Sequence, residues 1–146
     1  MLTDDKGRGV SYLRLSVTDR CNLRCLYCDG QMRHRLTHDE VLRYEECLAL
    51  MELAHGLGIG KVRLTGGEPF ARRGFMEFVE SAMARLPGLD LRLTTNATLL
   101  APYAFRLAAA GVKRVNISLD TLDPEKFARI TGADLYHAVR QGIDAS

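Results

Sequence analysis

From Ser11 onward the apolar positions switch between two spacings, every second residue over short runs and every third or fourth over longer ones. That alternation is the mark of repeated βα units around a parallel sheet. It predicts strands over about Tyr12–Val17, Lys61–Thr65, Asp90–Thr94 and Lys113–Leu119. A first helix is expected from Thr37, where Thr37-His38-Asp39-Glu40 has the form of a capping box and Val41, Tyr44, Leu48 and Met51 follow at helical spacing. Gly56 and Gly58 end it. Phe75, Phe78, Val79, Ala82, Met83 and Leu86 make the stripe of a second helix, stopped by Pro87-Gly88. Pro102 and Gly111 bracket a third, Asp123-Pro124 and Gly132 a fourth, and Leu135, Val139 and Ile143 open a last one.

Strand side chains point alternately to two faces. Leu13, Leu15 and Val17 therefore oppose Tyr12, Arg14 and Ser16, and Val62 and Leu64 oppose Arg63 and Thr65. The split continues with Leu91 and Leu93 against Arg92 and Thr94, then Val115, Ile117 and Leu119 against Asn116, Ser118 and Asp120. A closed TIM barrel is apolar on both faces. A polar inner wall fits an open, partial barrel around a hydrophilic ligand; a sheet with one face in solvent is the plainer alternative. The fold class expected is α/β, a partial TIM-type barrel of parallel strands with about four βα units. Four units leave an open edge, and no linker divides the chain, so residues 1–146 are expected to be one domain truncated from a longer protein.

Composition narrows this reading only a little. The chain has 146 residues, 47% hydrophobic, with a net charge of +2, enough for a real core and too balanced to indicate DNA, RNA or an anionic membrane. No apolar run is long enough to span a bilayer and Met1 to Val10 does not resemble a signal peptide, so a cytoplasmic location is expected.

The cysteines change the picture more. Cys21, Cys25 and Cys28 form a C-x3-C-x2-C run just after the first strand, where βα folds place their chemistry. A four-iron cluster normally takes four thiolates, so three leave one iron open to a reactant. The alternative is a zinc site completed by His34, His38 or Cys47. Cys47 lies among apolar helix positions and reads as a core residue.

With an aromatic residue, Tyr27, before its last cysteine, the run resembles the signature of radical S-adenosylmethionine (radical SAM) enzymes. Gly66-Gly67-Glu68-Pro69, after the second strand, resembles the motif that holds the methionine end of the cofactor in that family. The stretches Tyr12–Asn22, Lys61–Pro69, Thr94–Asn96 and Asn116–Asp120 are similar to the GTP 3′,8-cyclase subfamily, which begins molybdenum cofactor biosynthesis. The resemblance implies a [4Fe–4S] cluster on Cys21, Cys25 and Cys28, and S-adenosylmethionine contacts from Tyr27, Gly66, Gly67, Glu68 and Ser118. It also implies GTP contacts from Arg14, Arg63 and Thr94. The reaction implied converts GTP to (8S)-3′,8-cyclo-7,8-dihydroguanosine 5′-triphosphate through a 5′-deoxyadenosyl radical. An external electron donor, a homodimer of the longer protein and hand-over of the product to a next enzyme go with it. Arg72 and Arg73 are expected to add positive charge or to be solvated.

The sequence departs from that subfamily in three places. The segment between Cys28 and Leu36 is short, Ala97 stands where glycine is typical, and the C-terminal region carrying a second cluster is absent from these 146 residues. Two other readings stay open: a different, peptide-modifying radical enzyme, or a non-catalytic metal- or nucleotide-binding module.

Overall fold

The computed structural model describes residues 2–28 and 36–146. Its elements are a hairpin of β1 (Leu2–Thr3) and β2 (Gly9–Val10), then β3 (Tyr12–Ser16), α1 (Tyr44–Gly56), β4 (Lys61–Thr65) and α2 (Phe75–Arg85). β5 (Asp90–Thr95), α3 (Ala104–Ala109), β6 (Arg114–Ile117), α4 (Pro124–Thr131) and α5 (Tyr136–Asp144) follow. The four longer strands form one parallel sheet in the order β3-β4-β5-β6. The α/β fold with four parallel strands is thus as the alternation predicts, with β5 a residue longer and β6 shorter than expected.

The first helix is a correction. The capping box of Thr37 and Glu40 forms, but it closes only a single 3-10 turn, His38–Glu40, and Val41 is extended. A second box, in which the Glu46 carboxylate accepts the Arg43 backbone N–H, starts α1 at Tyr44. Val41 is β-branched, and β-branched residues lose side-chain freedom in a helix, so the chain breaks there and restarts. The β1–β2 hairpin was not foreseen. Its turn is held by Asp4, which accepts the backbone N–H groups of Lys6 and Arg8 and the Arg8 guanidinium.

The core lies between the sheet and its helices. Val62, Leu64, Leu91 and Leu93 are buried against Cys47, Met51, Phe75, Phe78 and Val79. Each such side chain contributes about 1.5–3 kcal/mol by leaving water. Tyr44 of α1 stacks on Phe78 of α2 at 4.7 Å, and Phe70 in the loop after β4 stacks at 5.2 Å on Tyr103, just before α3. The opposite face of the sheet keeps its polar side chains, which is where the site lies.

Candidate metal centre and anion row

The triad loop leaves the C-terminal end of β3 and is fastened to a loop behind each of the other three strands. Leu23, between the first two cysteines, is buried in the core and pins the loop down. Behind β4, Gly67 N–H donates to the Thr18 carbonyl (2.8 Å) and Glu68 N–H to the Arg20 carbonyl (2.7 Å). Glycine is required at both positions of the Gly66-Gly67 pair: a Cβ at Gly66 would run into the Thr18 carbonyl, and one at Gly67 into that of Arg20. Behind β5, Asn22 donates to Thr98 Oγ1 (2.8 Å) and Asn96 donates to Asn22 Oδ1 (3.0 Å). Behind β6, Tyr27 donates its hydroxyl to Asp120 (2.8 Å). The Arg24 and Leu26 amides donate to the Thr131 and Ile130 carbonyls at the end of α4 (2.7 and 2.9 Å). The triad therefore sits over the C-terminal ends of the whole sheet.

All three cysteines are free thiols, Cys21 and Cys25 partly buried and Cys28 exposed. Burial raises the Cys21 and Cys25 thiols above the ordinary range; ligation by a metal deprotonates such thiols outright. Cys21 Sγ receives the Leu23 amide (3.4 Å) and Asn96 Nδ2 (3.7 Å). Cys47 is completely buried on α1, as expected of a core residue, and cannot act as a fourth thiolate. Of the histidines expected in a zinc site, His34 and the side chain of His38 lie outside the described residues. Among the described residues no three cysteine, histidine, aspartate or glutamate side chains converge on a single ion. Three separate thiols on one anchored loop, with the fourth cysteine locked away, fit a cluster that takes one thiolate per iron at three of its irons.

Glu68 is fully buried. Its carboxylate accepts Thr95 Oγ1 (2.8 Å), the Asn96 amide (2.7 Å) and the Phe70 amide (3.2 Å), tying the loop behind β4 to the one behind β5. Desolvation raises its pKa, and the three donors oppose that rise. Tyr27 is largely exposed, and burial of its hydroxyl end, then the bond to Asp120, pushes its pKa up. Ser118 is exposed just past β6.

On the polar face the strand register lines up four arginines. Arg14 pairs with Arg63, Arg63 with Arg92, and Arg92 with Arg114 across the four strands. Asp90 neutralises one half of this row, binding Arg92 at 2.6 Å and Arg114 at 3.2 Å. Among the described residues the other half has no acid. Arg14 has no ionic or hydrogen-bond partner among the described residues, and Arg63 reaches only Thr94 Oγ1 (3.4 Å). Arg63 Nε is buried without a partner. The structure thus brings Arg14, Arg63 and Thr94 together below the triad loop. Arg72 is elsewhere: it stacks over the Tyr44 ring at 4.0 Å and donates to the Val17 carbonyl. The sequence pattern did not single out Asn22, Asp90, Arg92, Arg114 or Asp120 as parts of this site, although strand alternation put Arg92 and Asp120 on its polar wall, and Asn22 and Asp120 stand inside the resembling stretches.

The sequence profile of the Radical SAM superfamily matches residues 15–145. The GTP 3′,8-cyclase of Thermodesulfovibrio yellowstonii is 47% identical over 146 residues, covering 98% of this chain and 45% of its own. That of Gloeobacter violaceus is 52% identical over 141 residues, covering 94% of this chain and 43% of its own. The chain therefore spans less than half the length of these curated relatives. Among solved structures, Streptococcus suis SuiB bound to S-adenosylmethionine superposes with a TM-score of 0.70 at 20% identity, over 90% of this chain and 28% of that one. At that identity the likeness speaks for the fold.

Proposed function

The chain belongs to the radical SAM superfamily, and on that premise we propose that it is the N-terminal catalytic part of a GTP 3′,8-cyclase. The observation that carries the reading is the shared position of two features: an anchored three-thiol loop and, on the sheet face beneath it, two in-register arginines without acidic partners among the described residues. Like charges directly opposite each other destabilise a sheet. A polyphosphate placed between Arg14 and Arg63 turns that cost into charge-assisted hydrogen bonds.

Cys21, Cys25 and Cys28 would hold a [4Fe–4S] cluster, which when bound supplies the electron that cleaves S-adenosylmethionine to a 5′-deoxyadenosyl radical. The rest of the work falls to the chain. Gly66 and Gly67 let the loop behind β4 approach the triad backbone closely, and that turn would hold the methionine end of the cofactor. Glu68 fixes that loop from below, and Tyr27 and Ser118 stand at the rim for the adenosyl part. Arg14, Arg63 and Thr94 grip the GTP triphosphate so that its ribose faces the adenosyl group. Positioning two nucleotides and excluding water is the protein's share of such chemistry. The remainder of the longer protein would close the site over the base. An external electron donor, a cytoplasmic setting and a homodimer of the longer protein complete the proposal. No helix among the described residues is long and apolar enough to cross a membrane.

Anaerobic reconstitution tests the cluster assignment. About four irons and four sulfides per chain are expected, lost on replacing Cys21, Cys25 or Cys28 with alanine and kept in Cys47→Ala. Stoichiometric zinc with no iron would overturn the reading.

A further inference from the structure

Asn96 is hydrogen-bonded through its backbone and through both ends of its side chain. Its backbone N–H donates to Glu68 Oε2 (2.7 Å), and its side-chain oxygen accepts the Thr98 amide (3.0 Å) and hydroxyl (2.6 Å). Those two acceptor bonds fix the amide plane, so Nδ2 points away from Thr98, toward Asn22 Oδ1 (3.0 Å) and Cys21 Sγ (3.7 Å). Thr98 is held in turn by Asn22 Nδ2 (2.8 Å), closing a ring of Asn22, Asn96 and Thr98 beside the first cysteine. An amide oriented at both ends in this way is a built donor rather than a surface side chain in passing contact.

We propose that Asn96 is a positioning residue whose side-chain N–H hydrogen-bonds the Cys21 sulfur, setting both the orientation of that ligand and the reduction potential of the cluster it holds. The inference rests on the cluster reading above. Hydrogen bonds to ligand sulfur withdraw electron density from the metal and are one of the levers by which proteins tune iron–sulfur potentials. Cys21 has two such donors, the Leu23 amide and Asn96, and only the second can be changed by substitution of a side chain. The same residue joins Glu68 to Cys21, so the loops behind β4 and β5 meet the cluster through it.

Asn96→Ala keeps the backbone bond to Glu68, adds no charge and removes the N–H aimed at sulfur. In the anaerobically reconstituted chain its midpoint potential should shift to more negative values, while Asn22→Ala, which takes away the other acceptor of Nδ2 and the donor to Thr98 but leaves the N–H aimed at sulfur, stays near the unsubstituted chain. A second measurement needs no change at Asn96: with asparagine side chains labelled with ¹⁵N, pulsed electron paramagnetic resonance of the reduced cluster should show a nitrogen coupling that persists in Asn22→Ala. An unmoved potential in Asn96→Ala, equal shifts in both variants, or no asparagine coupling overturns the inference. If the unsubstituted chain takes up no iron, the cluster reading itself has failed instead.

Discussion

The two halves of the arginine row present the same side chain in the same register and yet differ in what they ask of their surroundings. Arg92 and Arg114 share Asp90, so that end of the sheet is electrostatically closed on itself. Among the described residues, Arg14 and Arg63 face each other with no acid between them, and Nε of the Arg63 guanidinium is buried with no acceptor. One half is structural; the other is the half to which we assign the incoming anion. Position alone did not make the difference, since a single aspartate at the start of β5 did.

The largest expected effect comes from abolishing the open half. Arg14→Met with Arg63→Met should weaken binding of GTP roughly a hundredfold or more, since each charge-assisted contact is worth about 1.5–3 kcal/mol. Arg92→Met with Arg114→Met should leave it nearly unchanged, both read by calorimetric titration at fixed salt. A smaller change breaks the link between the open half and the triad above it. Gly67→Ala pushes a Cβ into the Arg20 carbonyl, and chemical denaturation should show a loss of about 1–3 kcal/mol with reduced iron uptake.

Much of this comparison was legible in the sequence, and its missing part has a physical cause. Strand alternation placed Arg14, Arg63, Arg92 and Thr94 on one face because side-chain direction in a strand is local information. Which arginine lies beside which depends on the register between strands far apart in sequence, and only pairing sets that. The cysteine spacing pointed to the metal site for the same local reason. Glu68 illustrates the limit. Its motif marked it as a cofactor contact, while the structure shows its carboxylate fully enclosed and tying two loops together. The helix expected from Thr37 failed at Val41 because a capping box promises one turn, and continuation depends on the residues that follow.

Two finer changes sharpen the contrast. Asp90→Asn frees Arg92 and Arg114, so the closed half should begin to attract anions, tightening low-salt binding of inorganic triphosphate by roughly twofold to fivefold. Acid reproduces this only late. Arg92 beside Asp90 holds its carboxyl below the usual range, so the contribution of the pair persists as pH falls past the ordinary carboxylate value and is lost through the lower folded one. Smallest of all is Ala97→Gly. Ala97 is buried with a φ of 63°, a left-handed conformation that costs a residue bearing a Cβ about 1 kcal/mol. Glycine there should raise thermal stability slightly, the gain trimmed by its greater freedom when unfolded. This is also the physical reason glycine is typical at that position of the resembling motif.

The central claim, that a cluster site and a triphosphate site share one face of this sheet, is tested most directly by 5′-deoxyadenosine formation. The chain is reconstituted anaerobically and supplied with reductant and S-adenosylmethionine, with and without GTP. Product that GTP increases is predicted, with none from Cys21→Ala and a basal, GTP-insensitive amount from the Arg14→Met, Arg63→Met variant. Undiminished product without Cys21, or a full response to GTP without both arginines, would contradict the account.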